Sequence, residues 1–147
     1  MTEQEEREAV IAEARSFIGT PYHHEGRVKG PNGGVDCAQL IALVYHAALP
    51  HRIKLVEPAH YPPDWMMHRD LERYMGEVTA WAHETKSPQP ADLALVKIGR
   101  VFAHGGIIVP PGWPHIIHAD SSVRSIEQGL GDQGRLADKE RRFFTLW

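Results

Sequence analysis

The chain has 147 residues, 42% of them hydrophobic and 24% charged, with a formal net charge of -3 at pH 7. That balance suits one domain, 1–147, with a buried core and excludes a disordered chain. No Lys/Arg stripe is interleaved with aromatics, so nucleic acid has no support as a partner, and no apolar run reaches the length of a membrane span.

The acidic residues 1–6 lack the apolar core of a signal peptide, which predicts a cytoplasmic location as synthesised. Residues 2–18 read as an amphipathic helix. Thr2 and Glu5 form a capping box, and Val10, Ala14, Phe17 and Ile18 share one face. Gly19 and Pro21 stop it. Residues 19–35 form a loop with five glycines and two prolines. A loop of that length without regular structure suggests a functional role, but the Lys-Ser/Thr pair of a phosphate loop is missing, so nucleotide binding is rejected. Within it, His23 and His24 read as solvent-facing or substrate-lining. Tyr22 is a phenol placed to donate to an oxyanion.

Cys37 is the only cysteine, which excludes an intrachain disulfide. Asp36 can cap a helix over 37–49, and Cys37 then lies in its first turn, where the helix dipole favours a thiolate. Taken alone, the residue reads first as a small buried core position. The helix is apolar on almost every side, with Gln39 and His46 as its clear polar positions. A proline-rich connection over 50–63 leads to a predicted helix over 64–76 capped by Asp64. Residues 77–83 suggest a short strand or extended segment. His83-Glu84 opens like a zinc-protease motif, but Ser87 stands where its second histidine belongs.

From Pro90 the pattern changes to short strands: 93–98, 102–109, 115–119, 122–127 and 142–146. Tight turns between them predict an antiparallel sheet, and helices followed by strands predict an α+β class. In such a hairpin His104, early in one strand, can neighbour His118, late in the next. His115 and His118 face opposite sides, so only one of them can join a site. The arrangement predicts Cys37 as nucleophile, His104 as base and later general acid, and His118 as the group that orients His104. A metal bound by Cys37, His104 and His118 is the competing reading. No local ligand pair supports it, and neither a metal nor a cofactor is expected.

Gly19-Thr20-Pro21-Tyr22, Asp36-Cys37, Pro90-Ala91-Asp92-Leu93, His104-Gly105-Gly106-Ile107 and Ile117-His118-Ala119, in that order, resemble the NlpC/P60 family over about residues 8–127. They are most similar to its short, phage-type cell-wall peptidases that act at the tail tip. The resemblance implies a papain-like fold, with N-terminal helices on a C-terminal antiparallel sheet and the nucleophile at the N-terminus of a buried helix. It implies hydrolysis of peptidoglycan stem peptides, typically between D-glutamate and diaminopimelate, with phage tail proteins as further partners and the virion tail as a destination. It assigns Cys37 as nucleophile, His104 as base, His118 rather than His115 as the third member, and Tyr22 to the oxyanion site. A catalytically silent tail component, or an amidase or acyltransferase of the same fold, is the alternative. The chain departs from the family pattern at Ala38-Gln39, where Ser-Gly is usual, which bears on substrate access. It also departs at Ala91, where glycine is usual, a change expected to matter little.

Overall fold

The computed structural model describes residues 1–54, 78–120 and 122–147. Helix α1 (Glu3–Ser16) opens on the expected capping box. Thr2 Oγ1 accepts from the Glu5 N–H at 3.2 Å, and Glu5 Oε2 accepts from the Thr2 N–H at 2.7 Å. Val10, Ile11, Ala14 and Phe17 are buried, whereas Ile18 is 48% exposed, because the helix stops at Ser16 and the chain turns before its stripe reaches that residue.

The loop over 19–35 is more ordered than expected. Strands β1 (Arg27–Val28) and β2 (Gly34–Val35) pair antiparallel, and the chain at Tyr22 bridges β2 in parallel. Glycine permits this close approach: a Cβ on Gly26 would sit 2.3 Å from the Gly34 carbonyl oxygen. Helix α2 (Cys37–Ala48) follows at once, N-capped by Asp36. The helix expected over 64–76 lies outside the described residues. Residues 78–79 are helical rather than extended, and the strand here, β3 (His83–Thr85), begins where the expected one ended.

Strands β4 (Leu93–Ile98), β5 (Val101–Ile108), β6 (His115–Asp120), β7 (Ser125–Leu130) and β8 (Arg141–Thr145) complete a six-stranded antiparallel sheet in the order β3-β8-β4-β5-β6-β7. Every expected strand from residue 93 onward is present. The register of β7 runs to Leu130, three residues beyond expectation. A short 3-10 helix, Gly134–Leu136, links β7 to β8, which returns across the sheet to pair with both β3 and β4.

Alternation decides which side chains meet. Leu93, Leu95, Ile107, Ile117 and Phe144 pack with Val10, Ala14, Leu40, Val44 and Tyr45 in the main core. Ala94, Ile108 and Ile116 form a smaller cluster with Trp113 and Phe143 on the other face. The α+β expectation, with helices on one sheet, therefore holds. Behind the sheet Arg7 donates to Asp92 Oδ1 at 3.0 Å and to the Pro90 carbonyl at 2.8 Å, tying α1 to the start of β4. Trp147 stacks its ring 4.2 Å from the Arg7 guanidinium.

Ala91 contradicts the expectation that its exchange for glycine is minor. It has φ 80°, is fully buried, and donates its N–H to the Ile108 carbonyl at 2.8 Å. A residue with a Cβ pays roughly 1 kcal/mol or more in that left-handed region. The buried Tyr45 hydroxyl bonds the Ala91 carbonyl, which helps hold the turn in place.

Candidate active site

The Asp36 carboxylate organises the N-terminus of α2. Oδ1 accepts from the Gln39 N–H at 2.9 Å, and Oδ2 accepts from the Glu25 N–H at 2.9 Å. One side chain thus caps the helix and anchors the preceding loop. Cys37 occupies the first helical position and is partly exposed. Its thiol donates to the carbonyl of Ala103, at 3.5 Å, on the residue that precedes His104 in β5.

His104 and His118 are each 4% exposed. His104 Nε2 lies 2.8 Å from His118 Nδ1, with the rings edge-on at 82°. His118 pairs across the sheet with Gly106, so a side-chain-free position opposite it leaves room for the diagonal approach of His104. His115 stands at the β7-paired end of β6 beside Leu130 and is not in this cluster. His23 is exposed and His24 half-buried, with Nδ1 of His24 3.9 Å from Asp36 Oδ2.

Backbone bonds fix Tyr22 beside the thiol. Its N–H donates to the Arg124 carbonyl at 2.9 Å, and the Val35 N–H donates to the Pro21 carbonyl at 3.0 Å. Residues 20–22 are therefore clamped between β2, which leads into Cys37, and the start of β7. Burial, then the neighbouring Cys37 and Asp36, push the Tyr22 phenol up to about 12, against the opposing charge of Arg135. It is protonated at neutral pH and remains a hydrogen-bond donor.

Burial, reinforced by His118 and Arg135 and opposed by Asp120, pulls His104 down to about 3. Burial also lowers His118, with Asp120 pulling the other way. These lowered values leave both rings neutral at pH 7. A buried cation without a paired anion costs too much to persist at rest.

Three neighbours of the site escaped the sequence reading. Asp120 lies two residues after His118 on the same strand face, Glu127 pairs directly with His118 across β6 and β7, and Arg135 sits on the 3-10 helix. Strand alternation could have pointed to Asp120. Nothing local marks Arg135. Ligand atoms of His118, Asp120 and Glu127 lie within 4.8 Å of one another, the spacing a metal could use. However, Arg135 Nε stands 3.8 Å from Asp120 Oδ1, and that oxygen already accepts from the Ser122 N–H at 2.9 Å and hydroxyl at 2.6 Å. A guanidinium at that point repels a second cation, so the group fits a screened carboxylate better than a metal centre. Gln39 is buried at 2% exposure, and its Oε1 accepts no hydrogen bond among the described residues.

No protein-family model matches the sequence, and no curated protein matches it either. Solved structures do match in shape. The NlpC/p60 domain of the peptidoglycan hydrolase SagA superposes with a TM-score of 0.59 at 20% identity, over 92% of this chain and 96% of that one. The peptidoglycan hydrolase RipB from Mycobacterium tuberculosis gives 0.61 at 16% identity, over 99% of this chain and 68% of that one. RipD from the same organism, a non-catalytic NlpC/p60 domain protein adapted to peptidoglycan binding, gives 0.63 at 15% identity, over 98% and 99%. The chain therefore has the α+β fold of NlpC/P60 domains, a fold found both in peptidoglycan hydrolases and in a domain without catalysis.

Proposed function

We propose that the chain is a cysteine peptidase that hydrolyses amide bonds in peptidoglycan stem peptides, with the D-glutamate–diaminopimelate bond as the expected target. RipD shows that this fold need not be catalytic, so the proposal stands on the side chains. The observation that carries it is the His104 Nε2–His118 Nδ1 bond of 2.8 Å beside a thiol at the first position of a capped helix. With Nε2 committed to His118, Nδ1 is the nitrogen of His104 left to take a proton.

In the resting state both rings are neutral. The carbonyl of Ala103 holds the thiol proton, so the first step is exchange of that bond for one to His104. His104 then removes the proton as sulfur attacks the amide carbonyl. An imidazolium forms only while the adjacent oxyanion and sulfur carry compensating negative charge. The Cys37 backbone N–H at the helix N-terminus and the Tyr22 hydroxyl serve as donors to the oxyanion. Collapse of the intermediate breaks the C–N bond, and His104 returns its proton to the departing amine. Water, deprotonated by the same ring, then releases the acyl group from sulfur.

Delivery by a phage tail, with tail proteins as partners, is supported by the sequence resemblance to short phage-type members. Digestion of purified muropeptides with mass analysis of the products tests the activity. New amine and carboxylate ends are expected from the native chain and none from Cys37→Ala. Equal hydrolysis by the variant would refute the assignment.

A further inference from the structure

A bond between two neutral imidazoles has two possible directions, and only one gives a working base. If His104 Nε2–H donates to His118 Nδ1, then His104 Nδ1 is bare and can accept a proton. If His118 Nδ1–H donates instead, His104 carries its own proton on Nδ1 and cannot act. Nothing in the pair itself selects between these states.

The other end of His118 makes the selection. Its Nε2 faces β7, where a Cβ on Gly129 would lie 3.2 Å away. Glu127, two residues earlier on the same face of β7, is the cross-strand partner of His118, and Asp120 shares its face on β6. Ligand atoms of the three lie within 4.8 Å of one another. No hydrogen bond joins these carboxylates to the ring among the described residues, but negative charge within 4.8 Å on the Nε2 side favours the tautomer that carries its proton there. We propose that Asp120 and Glu127 are positioning residues: they hold His118 as the Nε2–H tautomer, and through it hold His104 with Nδ1 bare.

The remaining charged or titratable groups fit that role. Burial raises Asp120, but bonds from the Ser122 hydroxyl and N–H, then the nearby His118 and Arg135 on the 3-10 helix, leave its pKa below the usual value. His104 on β5 supplies the inner contact, and Cys37 and Tyr22 lie beyond it. A carboxylate facing His118 would by itself draw a proton onto the ring and create an imidazolium. Burial and Arg135 oppose that, so the ring is oriented without being charged.

The value of this outer pair to catalysis rests on the peptidase reading, but the tautomer does not. Long-range nitrogen–proton NMR of the uniformly labelled full chain at about pH 7.5 reads both rings directly. His118 is expected as Nε2–H and His104 as Nε2–H. In the isosteric double variant Asp120→Asn/Glu127→Gln, whose amides can donate or accept, His118 should populate both tautomers. Alkylation of Cys37 by iodoacetamide should slow at least about twofold, because only the fraction of chains with His104 Nδ1 bare keeps a working base. Asp120→Glu in a chain retaining Glu127 should keep the native tautomer. Finding His118 protonated on Nδ1 in the native chain would overturn the proposal even if the double variant fails to fold. So would unchanged tautomers in a folded double variant. A native chain with the expected tautomers but no hydrolysis would instead refute the peptidase reading alone.

Discussion

The neutral, buried His104 makes acid stability a sharp test of the site. Its folded-state value is about 3, against about 6.5 for an unperturbed histidine. Between those values the unfolded chain binds a proton that the folded chain refuses, so acid favours unfolding. The contribution is complete above about pH 6.5 and is lost as pH falls toward 3. At pH 5.5 the loss from this residue is ~1.4 kcal/mol, and at pH 4.5 it is ~2.7 kcal/mol. These figures depend almost wholly on the unfolded value, since the folded ring stays unprotonated throughout. Urea unfolding of the native chain and of His104→Gln, at half-unit steps from about pH 7.5 to 4.5, measures the difference. Glutamine keeps a donor toward His118 but has no proton to gain. The two stability curves should converge on acidification by roughly 2–3 kcal/mol. Parallel curves would mean that His104 titrates as it does unfolded, and diverging curves that it is already charged; either would end the neutral resting state.

Cys37→Ala should remove hydrolysis with a change in melting temperature of only a few degrees, because the thiol is partly exposed and its bond to Ala103 is weak; loss of the fold would make Cys37 a core residue instead. Tyr22→Phe should lower kcat by about 10²-fold with little change in KM, as removal of one oxyanion donor does; a change confined to KM would assign the phenol to binding. Asp36→Asn keeps a cap acceptor for Gln39 but removes a negative charge next to the thiol, so iodoacetamide should modify Cys37 faster at neutral pH; an unchanged rate would remove Asp36 from the electrostatics of the nucleophile. Arg7→Ala strands the buried Asp92 carboxylate, 2% exposed, and should cost roughly 3–5 kcal/mol in chemical denaturation; a loss under 1 kcal/mol would show that water reaches Asp92.

Local signals were enough where one element decides the outcome. The capping box at Thr2–Glu5, the Asp36 cap and the apolar run of α2 each announce a helix by short-range chemistry. Short apolar runs over 93–98 and 102–109, closed by tight turns, announced strands for the same reason. Long-range pairing was hidden: nothing in 141–145 says that β8 inserts between β3 and β4, since one extended segment resembles another until its partner is known. The hairpin in the glycine-rich loop was hidden too, because two-residue strands carry no period. At Ala91 the residue type misled. Alanine gives no sign of a positive φ, and only the bonds that Ile108 and Tyr45 make to its backbone reveal why the turn is tolerated.

The site divides along the same line. Two histidines on adjacent strands could be placed together by topology alone, and their 2.8 Å contact follows from that register. Their charge could not, because charge depends on solvent exclusion by residues distant in sequence. A helix N-terminus favours a thiolate, yet Asp36 sets a full negative charge at the same point, and the buried ring offers no resting cation in compensation. The dipole is equivalent to about half an elementary charge, so at rest it is at least offset by its own cap. The thiol donates to the Ala103 carbonyl. What the helix N-terminus can still stabilise is the oxyanion, which forms only with substrate bound. On the peptidase reading, reactivity toward small alkylating agents should therefore underestimate reactivity toward substrate.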